Sequence, residues 1–309
     1  GYKYLTSEFI LPGDDFINIG SKVIGVYGGL ELHGKPTNTP WTTLNTTIEE
    51  GTSTITINGE VDWKVSNEIV IAPTGYNSFE TETFKITAIS SAAGISTVTL
   101  NATTEYKHWA YSDGTVTVTA EVGLLTRSIQ IEGGAYGKLY NESFGGRIII
   151  GDSSLGRGYA RITNVEFYHM GQYGFQEPTD PRYAIAFLDS GPITSLNPSY
   201  IRNSAFHNLF APALGVYNAP NLPIENNVFH HCIDYCIQTA TDNTQIRQNM
   251  IVLNKWKTGQ HIYEGAISAM ESSTLVLQGN RVSGAERIAY HVPSLECTAD
   301  RTTWYSDNV

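Results

Sequence analysis
The second half of the chain repeats one hydrophobic phrase: an aliphatic residue, a spacer, Asn or another small polar residue, and an apolar residue three positions beyond that polar one. It reads Ile162-Thr163-Asn164-Val165-Glu166-Phe167, Ile201-Arg202-Asn203-Ser204-Ala205-Phe206 and Ile224-Glu225-Asn226-Asn227-Val228-Phe229. Weaker copies are Ile246-Arg247-Gln248-Asn249-Met250-Ile251 and Leu277-Gln278-Gly279-Asn280-Arg281-Val282. The starts lie 39, 23, 22 and 31 residues apart. The shortest interval is about one coil of a parallel β-helix, and the longer ones are coils that carry loops. Stacked coils bury their apolar positions in one interior that no single repeat can close. Asn suits the corner because it tolerates left-handed backbone and its amide can bond the coils above and below. The expected fold is all-β, a right-handed parallel β-helix of the pectin-lyase type.

A second strand follows each phrase: Ala184-Ile185-Ala186-Phe187, Gly215-Val216-Tyr217-Asn218, Cys236-Ile237-Gln238-Thr239, Ala266-Ile267-Ser268-Ala269 and Ile288-Ala289-Tyr290-His291. With Ile185, Val216, Ile237, Ile267 and Ala289 inward, the two-residue period of a strand turns Ala186, Tyr217, Gln238, Ser268 and Tyr290 outward in one row. That row holds no carboxylate, imidazole, Lys or Arg.

Residues 1–40 alternate apolar and polar positions with Gly at the bends and read as the end of an N-terminal set of β-coils. Residues 41–121 change to long Thr-rich alternation, as in Thr52-Ser53-Thr54-Ile55-Thr56-Ile57 and Thr83-Phe84-Lys85-Ile86-Thr87-Ala88-Ile89, broken by Gly, Asn and Pro. This spacing predicts a small antiparallel subdomain inserted into the helix. The coil pattern resumes over 122–309, and no stretch has a sustained helical period with caps.

Composition narrows the partners. A net charge of −11 with no basic stripe leaves nothing to neutralise phosphates, which excludes nucleic acid and an anionic membrane surface. No segment reaches the roughly 18 consecutive apolar residues of a membrane span. The chain opens in strand-like sequence, Tyr2-Lys3-Tyr4-Leu5, and reads as a piece of something longer, with any membrane attachment elsewhere in the parent. Of three cysteines, Cys232 and Cys236 can close a local disulfide or stay as buried thiols, and Cys297 is left over. The sequons at Asn45, Asn101 and Asn141 are glycosylation candidates if the chain is secreted.

The segment Gly28-Gly29-Leu30-Glu31-Leu32-His33-Gly34 with Trp41-Thr42 resembles the closing motif of the G8 domain. The similarity continues in order through Val61-Asp62-Trp63, Ile69-Val70-Ile71-Ala72, Ala120-Glu121-Val122-Gly123-Leu124-Leu125-Thr126-Arg127, Phe144-Gly145-Gly146-Arg147-Ile148 and Val165-Glu166-Phe167 with His169-Met170-Gly171-Gln172. Over about residues 20 to 250 the chain resembles the fibrocystin family, related to transmembrane protein 2 and cell-migration-inducing hyaluronidase. The resemblance implies a large extracellular or single-pass surface protein, acting as a receptor or surface coat in one branch and linked to hyaluronan breakdown in the other. The hyaluronidase-linked branch has two His flanking a Phe where this chain has Ala186-Phe187-Leu188. It has a further His at Asn218, and acids at Gln238-Thr239-Ala240.

Breaking a polysaccharide needs a paired acid and base, a metal with carboxylate ligands, or a base with a cationic clamp. The candidates here are His169, Asn208 and His231, which fall at equivalent places in successive coils, with His207 and His230 in the adjoining column. Stacked about 4.8 Å apart, they can bind a metal or sugar, or merely cap strand ends. Loop acids Glu177, Asp180, Asp189, Asp234 and Glu264 can complete such a site or stay as solvated surface. Arg127 and Arg147 read as structural pairs, and His33 and Trp41 as packing and turn residues. Tyr217 and Tyr290, with Gln238, Asn208 and the loop residues Tyr173 and Phe175, offer contacts for a sugar or a protein. No cofactor or metal is called for. The expectation is a non-catalytic recognition module with an extracellular protein or glycan as partner, against a hyaluronan-type depolymerase or a lectin.

Overall fold
The computed structural model describes residues 20–134, 144–153, 156–173, 182–196, 198–256, 265–270, 272, 274–292 and 302–309. Three parallel sheets run the length of the repeat region. Sheet I contains Val23–Val26, Arg147–Ser153, Ile185–Leu188, Leu214–Tyr217, Ile237–Ala240, Gly265–Met270 and Ile288–His291. Sheet II runs from Gly29–His33 through Tyr159–Thr163, Tyr200–Arg202, Pro223–Glu225, Thr244–Arg247 and Thr274–Gln278 to Thr302–Ser306. Sheet III holds Ile129–Glu132, Val165–Tyr168, Ala205–His207, Val228–Ile233, Met250–Lys255 and Arg281–Ala285. Each coil visits sheets II, III and I in turn, so the fold is a parallel β-helix. Among the described residues the only helical element is a 3₁₀ turn at Ser78–Glu80.

The phrase of the sequence is the bend from sheet II to sheet III. Its first residues, Ile162, Ile201, Ile224, Ile246 and Leu277, stack in register and are fully buried. Its last residues build a second column in which Phe167, Phe206 and Phe229 lie face to face at 4.7 and 4.9 Å. Two adjacent columns divide the work expected of one Asn. Asn164, Asn203, Asn226 and Gln248 take left-handed backbone (φ 56°, 50°, 57° and 54°). One residue later, Ser204, Asn227, Asn249, Asn280 and Asn308 form a ladder in which each Asn side-chain oxygen accepts the backbone N–H of the rung before it, at 3.0–3.1 Å. Each Asn amide nitrogen from Asn227 on reaches back to a sheet II carbonyl, those of Ile201, Ile224, Ile246 and Leu277.

The antiparallel unit leaves the β-helix after Gly29–His33 and returns at Ile129–Glu132, at the corner that every later coil turns with a single left-handed residue. Its six strands are ordered Trp41–Thr43, Glu121–Leu124, Glu68–Ile71, Glu82–Ala92, Ile95–Leu100 and Thr54–Asn58, over a separate core that includes Ile57, Ile69, Phe84, Val98 and Val122. The expected boundary at residue 121 moves to 124, because Val122-Gly123-Leu124 pairs antiparallel with both Trp41–Thr43 and Glu68–Ile71. The unit packs on the outer face of sheet III, where Val70, Ala72 and Leu125 meet Val228, Met250 and Val252. The approach is close: a Cβ on Gly123 would sit 2.8 Å from both Met250 Sδ and Val228 Cγ1.

Candidate functional site
Sheet I carries the row that sequence placed outward, and the structure rearranges it. Leu214, not Val216, stands beside Ile185, and Tyr290, not Ala289, stands beside Ile267. The first shift is two residues and keeps Tyr217 outward, one step along the strand, beside Leu188 and Ala240. The second is one residue, which reverses the face. Tyr290 therefore points inward, packs on the core, and donates its hydroxyl to the carbonyls of Asn280 and Val309 at 2.9 and 3.1 Å. Burial raises its pKa further above the usual phenol range.

The outward row is thus Ile149, Ala186, Gly215, Gln238, Ser268 and His291. It ends in an imidazole, against the expectation, and His291 Nδ1 lies 3.3 Å from Ser268 Oγ. It still holds no carboxylate, Lys or Arg. Nor is it an open face, since Ala186, Gln238 and Ser268 are all buried. Tyr183, itself fully buried, crosses the row; a Cβ at Gly215 would strike its ring. Its hydroxyl bonds the Tyr217 hydroxyl at 2.7 Å and the Gln238 side-chain oxygen in a short contact.

The corner from sheet III to sheet I holds the second candidate set. His169, Asn208 and His231 do share one left-handed position (φ 53°, 53° and 56°), continued by Leu253 and Gly284. Their side chains are not a converging site. The His169 ring is sandwiched between Tyr168 at 3.7 Å and Phe210 at 5.0 Å, and Asn208 Oδ1 lies 3.3 Å from His207 Nδ1. Burial lowers the pKa of His169. Burial, then the charges of Lys255 and His169, brings His231 down to about 4. Buried His230 is held well below the usual imidazole range, chiefly by burial. Asp234 is a buried left-handed residue at the following bend, and exposed Asp189 accepts a bond from Asn218. Among the described residues no three His, Cys, Asp or Glu side chains are grouped to hold a metal ion.

Cys232 and Cys236 are joined across this bend, both fully buried, with Cα atoms 5.5 Å apart. Asn45 and Asn101 are exposed on the antiparallel unit. Trp41 donates its indole N–H to the Gln248 carbonyl at 2.8 Å, while His33 sits 3.2 Å from Glu31 at the surface. Arg147 is buried. Phe175, Glu177, Asp180, Glu264, Asn141 and Cys297 lie outside the described residues.

A third place escaped the sequence reading. Where the antiparallel unit meets the first two strands of sheet III, a cleft of about 240 Å³ is walled by Glu68, Lys85, Arg127, Gln130 and Glu166, with Ser66 and Thr126 beside them. Glu166 accepts from Arg127 N–H (2.8 Å) and Gln130 Nε2 (2.6 Å) and meets His207 Nε2 at 3.1 Å. Burial alone would raise its pKa, but the bonds from His207 and Arg127 outweigh it and the carboxyl is held low. Arg127 is anchored by the carbonyls of Asn203, Leu124 and Thr126 at 2.7–2.9 Å. Burial brings its pKa down to about 10 against the pull of Glu166 and Asp62.

With this geometry in hand, comparison with known proteins gives an ordered match. Residues 6–45 fit the G8 domain, and residues 143–294 fit the CEMIP beta-helix. Fibrocystin-L of Homo sapiens is 37% identical over 96% of the chain, and that of Mus musculus 35% identical over 99%. The chain belongs to the fibrocystin family. It spans 7% of the human and 8% of the mouse fibrocystin-L chain. A more distant relative, the human cell migration-inducing and hyaluronan-binding protein, is 28% identical over 67% of this chain and 16% of its own length. In this fibrocystin-family chain Gly145 has a packing reason: a Cβ there would collide with the carbonyl of His169, at the corner just described.

Proposed function
We propose that this chain is a non-catalytic scaffold and recognition module in the ectodomain of a single-pass cell-surface protein, taking an extracellular protein or a glycan as its partner. Family membership supports the coarse part of this reading, a module of an extracellular surface protein. The observation that carries the finer part is the row on sheet I. Its outward positions hold neither a carboxylate nor a cation, and its central polar groups, Tyr183, Tyr217 and Gln238, are bonded to one another. Among the described residues, glycosidic cleavage by paired carboxyls has no pair to use in that row. The His169 ring of the corner is stacked on Tyr168, and burial lowers the pKa of His169, His230 and His231.

The direct test incubates the purified protein with high-molecular-weight hyaluronan and follows chain length. The expected result is no shortening. Shortening that His231→Ala abolishes would end the non-catalytic reading. If the partner is a glycan, glycan-array binding weakens in Tyr217→Ala; a protein partner leaves the array blank.

A further inference from the structure
We propose that Asn101 is an N-glycosylation site of this chain, and that folding withdraws Asn45, the other described sequon, from the same modification. The proposal rests on the extracellular reading above, because the modification belongs to the secretory pathway. Both sequons read Asn-x-Thr, and both asparagines are exposed on the antiparallel unit. The motif alone does not separate them. What separates them is the use the fold makes of two groups: the Asn amide nitrogen, which takes the sugar, and the Thr hydroxyl two residues on, which completes the motif.

At Asn45 both groups are engaged. Its Nδ2 donates to Asn58 Oδ1 at 2.9 Å, and its backbone N–H donates to the Thr56 carbonyl at 2.9 Å. The hydroxyl of half-buried Thr47 accepts the Ala110 N–H at 3.0 Å and donates to the Ala110 carbonyl at 3.4 Å. At Asn101 neither group is engaged. The sequon follows the strand Ile95–Leu100, and Asn101, Ala102 and Thr103 are all exposed. Asn101 is held by its oxygen: Oδ1 accepts the Lys85 N–H at 2.7 Å, a donor that only the amide oxygen can meet. Among the described residues nothing bonds Asn101 Nδ2 or the Thr103 hydroxyl. In the transfer, C1 of the sugar joins Asn101 Nδ2 as its bond to the diphosphate of a polyprenyl-linked oligosaccharide breaks. The amide gives up one proton, the diphosphate leaves with the electron pair, and nothing is oxidised. Oδ1 stays on Lys85, so the glycan is added without the loss of a native contact. It is rooted beside Lys85, a wall residue of the cleft at the joint between the antiparallel unit and sheet III.

The test expresses the 309-residue chain behind a cleavable leader peptide in mammalian cells. The secreted protein is treated with a glycan-releasing amidase in heavy-oxygen water, which turns each glycosylated Asn into labelled Asp, and peptide masses then give the occupancy of each sequon separately. Higher occupancy at Asn101 than at Asn45 is expected. Thr103→Ala should abolish the Asn101 glycan and leave occupancy at Asn45 unchanged. Its melting temperature after deglycosylation should match that of the deglycosylated wild type, because the Thr103 hydroxyl holds nothing in the fold. An unmodified Asn101, occupancy at Asn101 no higher than at Asn45, or an Asn101 glycan that survives Thr103→Ala overturns the proposal. Since the leader supplies the compartment, failure at Asn101 counts against the site alone and leaves the extracellular reading untouched.

Discussion

Replacing Asn249 by Ala removes one rung of the amide ladder, and the structure sets the size of the effect. Asn249 Oδ1 accepts from the backbone N–H of Asn227 at 3.0 Å, and its Nδ2 donates to the Ile224 carbonyl at 2.9 Å. Its own N–H keeps its bond to Asn280 Oδ1, and the Asn227 amide keeps Ile201. One backbone donor is therefore orphaned, the N–H of Asn227, a residue with 0% exposure, while the Ile224 carbonyl stays within the sheet II ladder and loses one added bond. An unsatisfied buried group costs about 1–3 kcal/mol, so Asn249→Ala should lose about that much. Asn308→Ala makes the internal control. That residue holds the same kind of bonds, to Asn280 N–H and the Leu277 carbonyl, but it is half-buried and water can replace it. Its expected loss is about 1 kcal/mol or less. Urea unfolding with linear extrapolation measures both, since m should stay constant while the midpoint moves. An Asn249→Ala loss no larger than that of Asn308→Ala would refute the account of the ladder as the partner of the buried Asn227 N–H.

Acidification should destabilise the fold between about pH 6.5 and 4. The folded pKa of His231 is about 4, below the ordinary imidazole value of 6.5, and those of His169 and His230 are also lowered. The unfolded chain takes up protons first, so the contribution is complete above pH 6.5 and is lost as pH falls toward the folded value. For His231 alone this is roughly 3 kcal/mol at 1.36 kcal/mol per pKa unit, and His231→Asn should flatten a plot of unfolding free energy against pH by about that amount. Gly123→Val forces two methyl groups into the contact with Met250 and Val228. It should cost about 1–3 kcal/mol and speed proteolysis within residues 41–124, whereas unchanged cleavage there would mean the seam is not tight.

The β-helix was legible because its interior columns recur at a near-constant interval, and Ile201, Ile224 and Ile246 announce it unaided. Exact register was not. Leu214 and Val216 are both apolar, so a two-residue shift on sheet I leaves the hydrophobic pattern unchanged, and Ile288-Ala289-Tyr290 permits either face. Only the stacking of whole coils decides, and it turned Tyr290 into the core and His291 out. The corner shared by His169, Asn208 and His231 could be read, since all three follow the phrase at one offset, but what their rings touch could not. Phe210 and Tyr168 set that. The polar cleft had no signature at all, because Glu68 and Lys85 come from the antiparallel unit and Glu166 from a coil some eighty residues farther on. One hint existed: Glu166 interrupts an apolar strand at a position whose neighbours on later rungs are Ala205, Val228 and Met250.

The position of the antiparallel unit bears on the entropy of closing the first coil. Ile224 finds Ile246 only 22 positions away, but Leu30 must find Ala160 at a distance of 130. As a flexible loop, that difference would cost about 1.6 kcal/mol more, from 1.5RT times the logarithm of the length ratio. The unit removes most of it by returning to its own beginning. Trp41 and Gly123 are cross-strand partners, and the backbone N–H of Lys35 bonds Ser128 Oγ at 2.6 Å. Once the unit has folded on its own core, the chain passing from His33 to Ile129 crosses only a short gap, and the first coil closes as an ordinary rung.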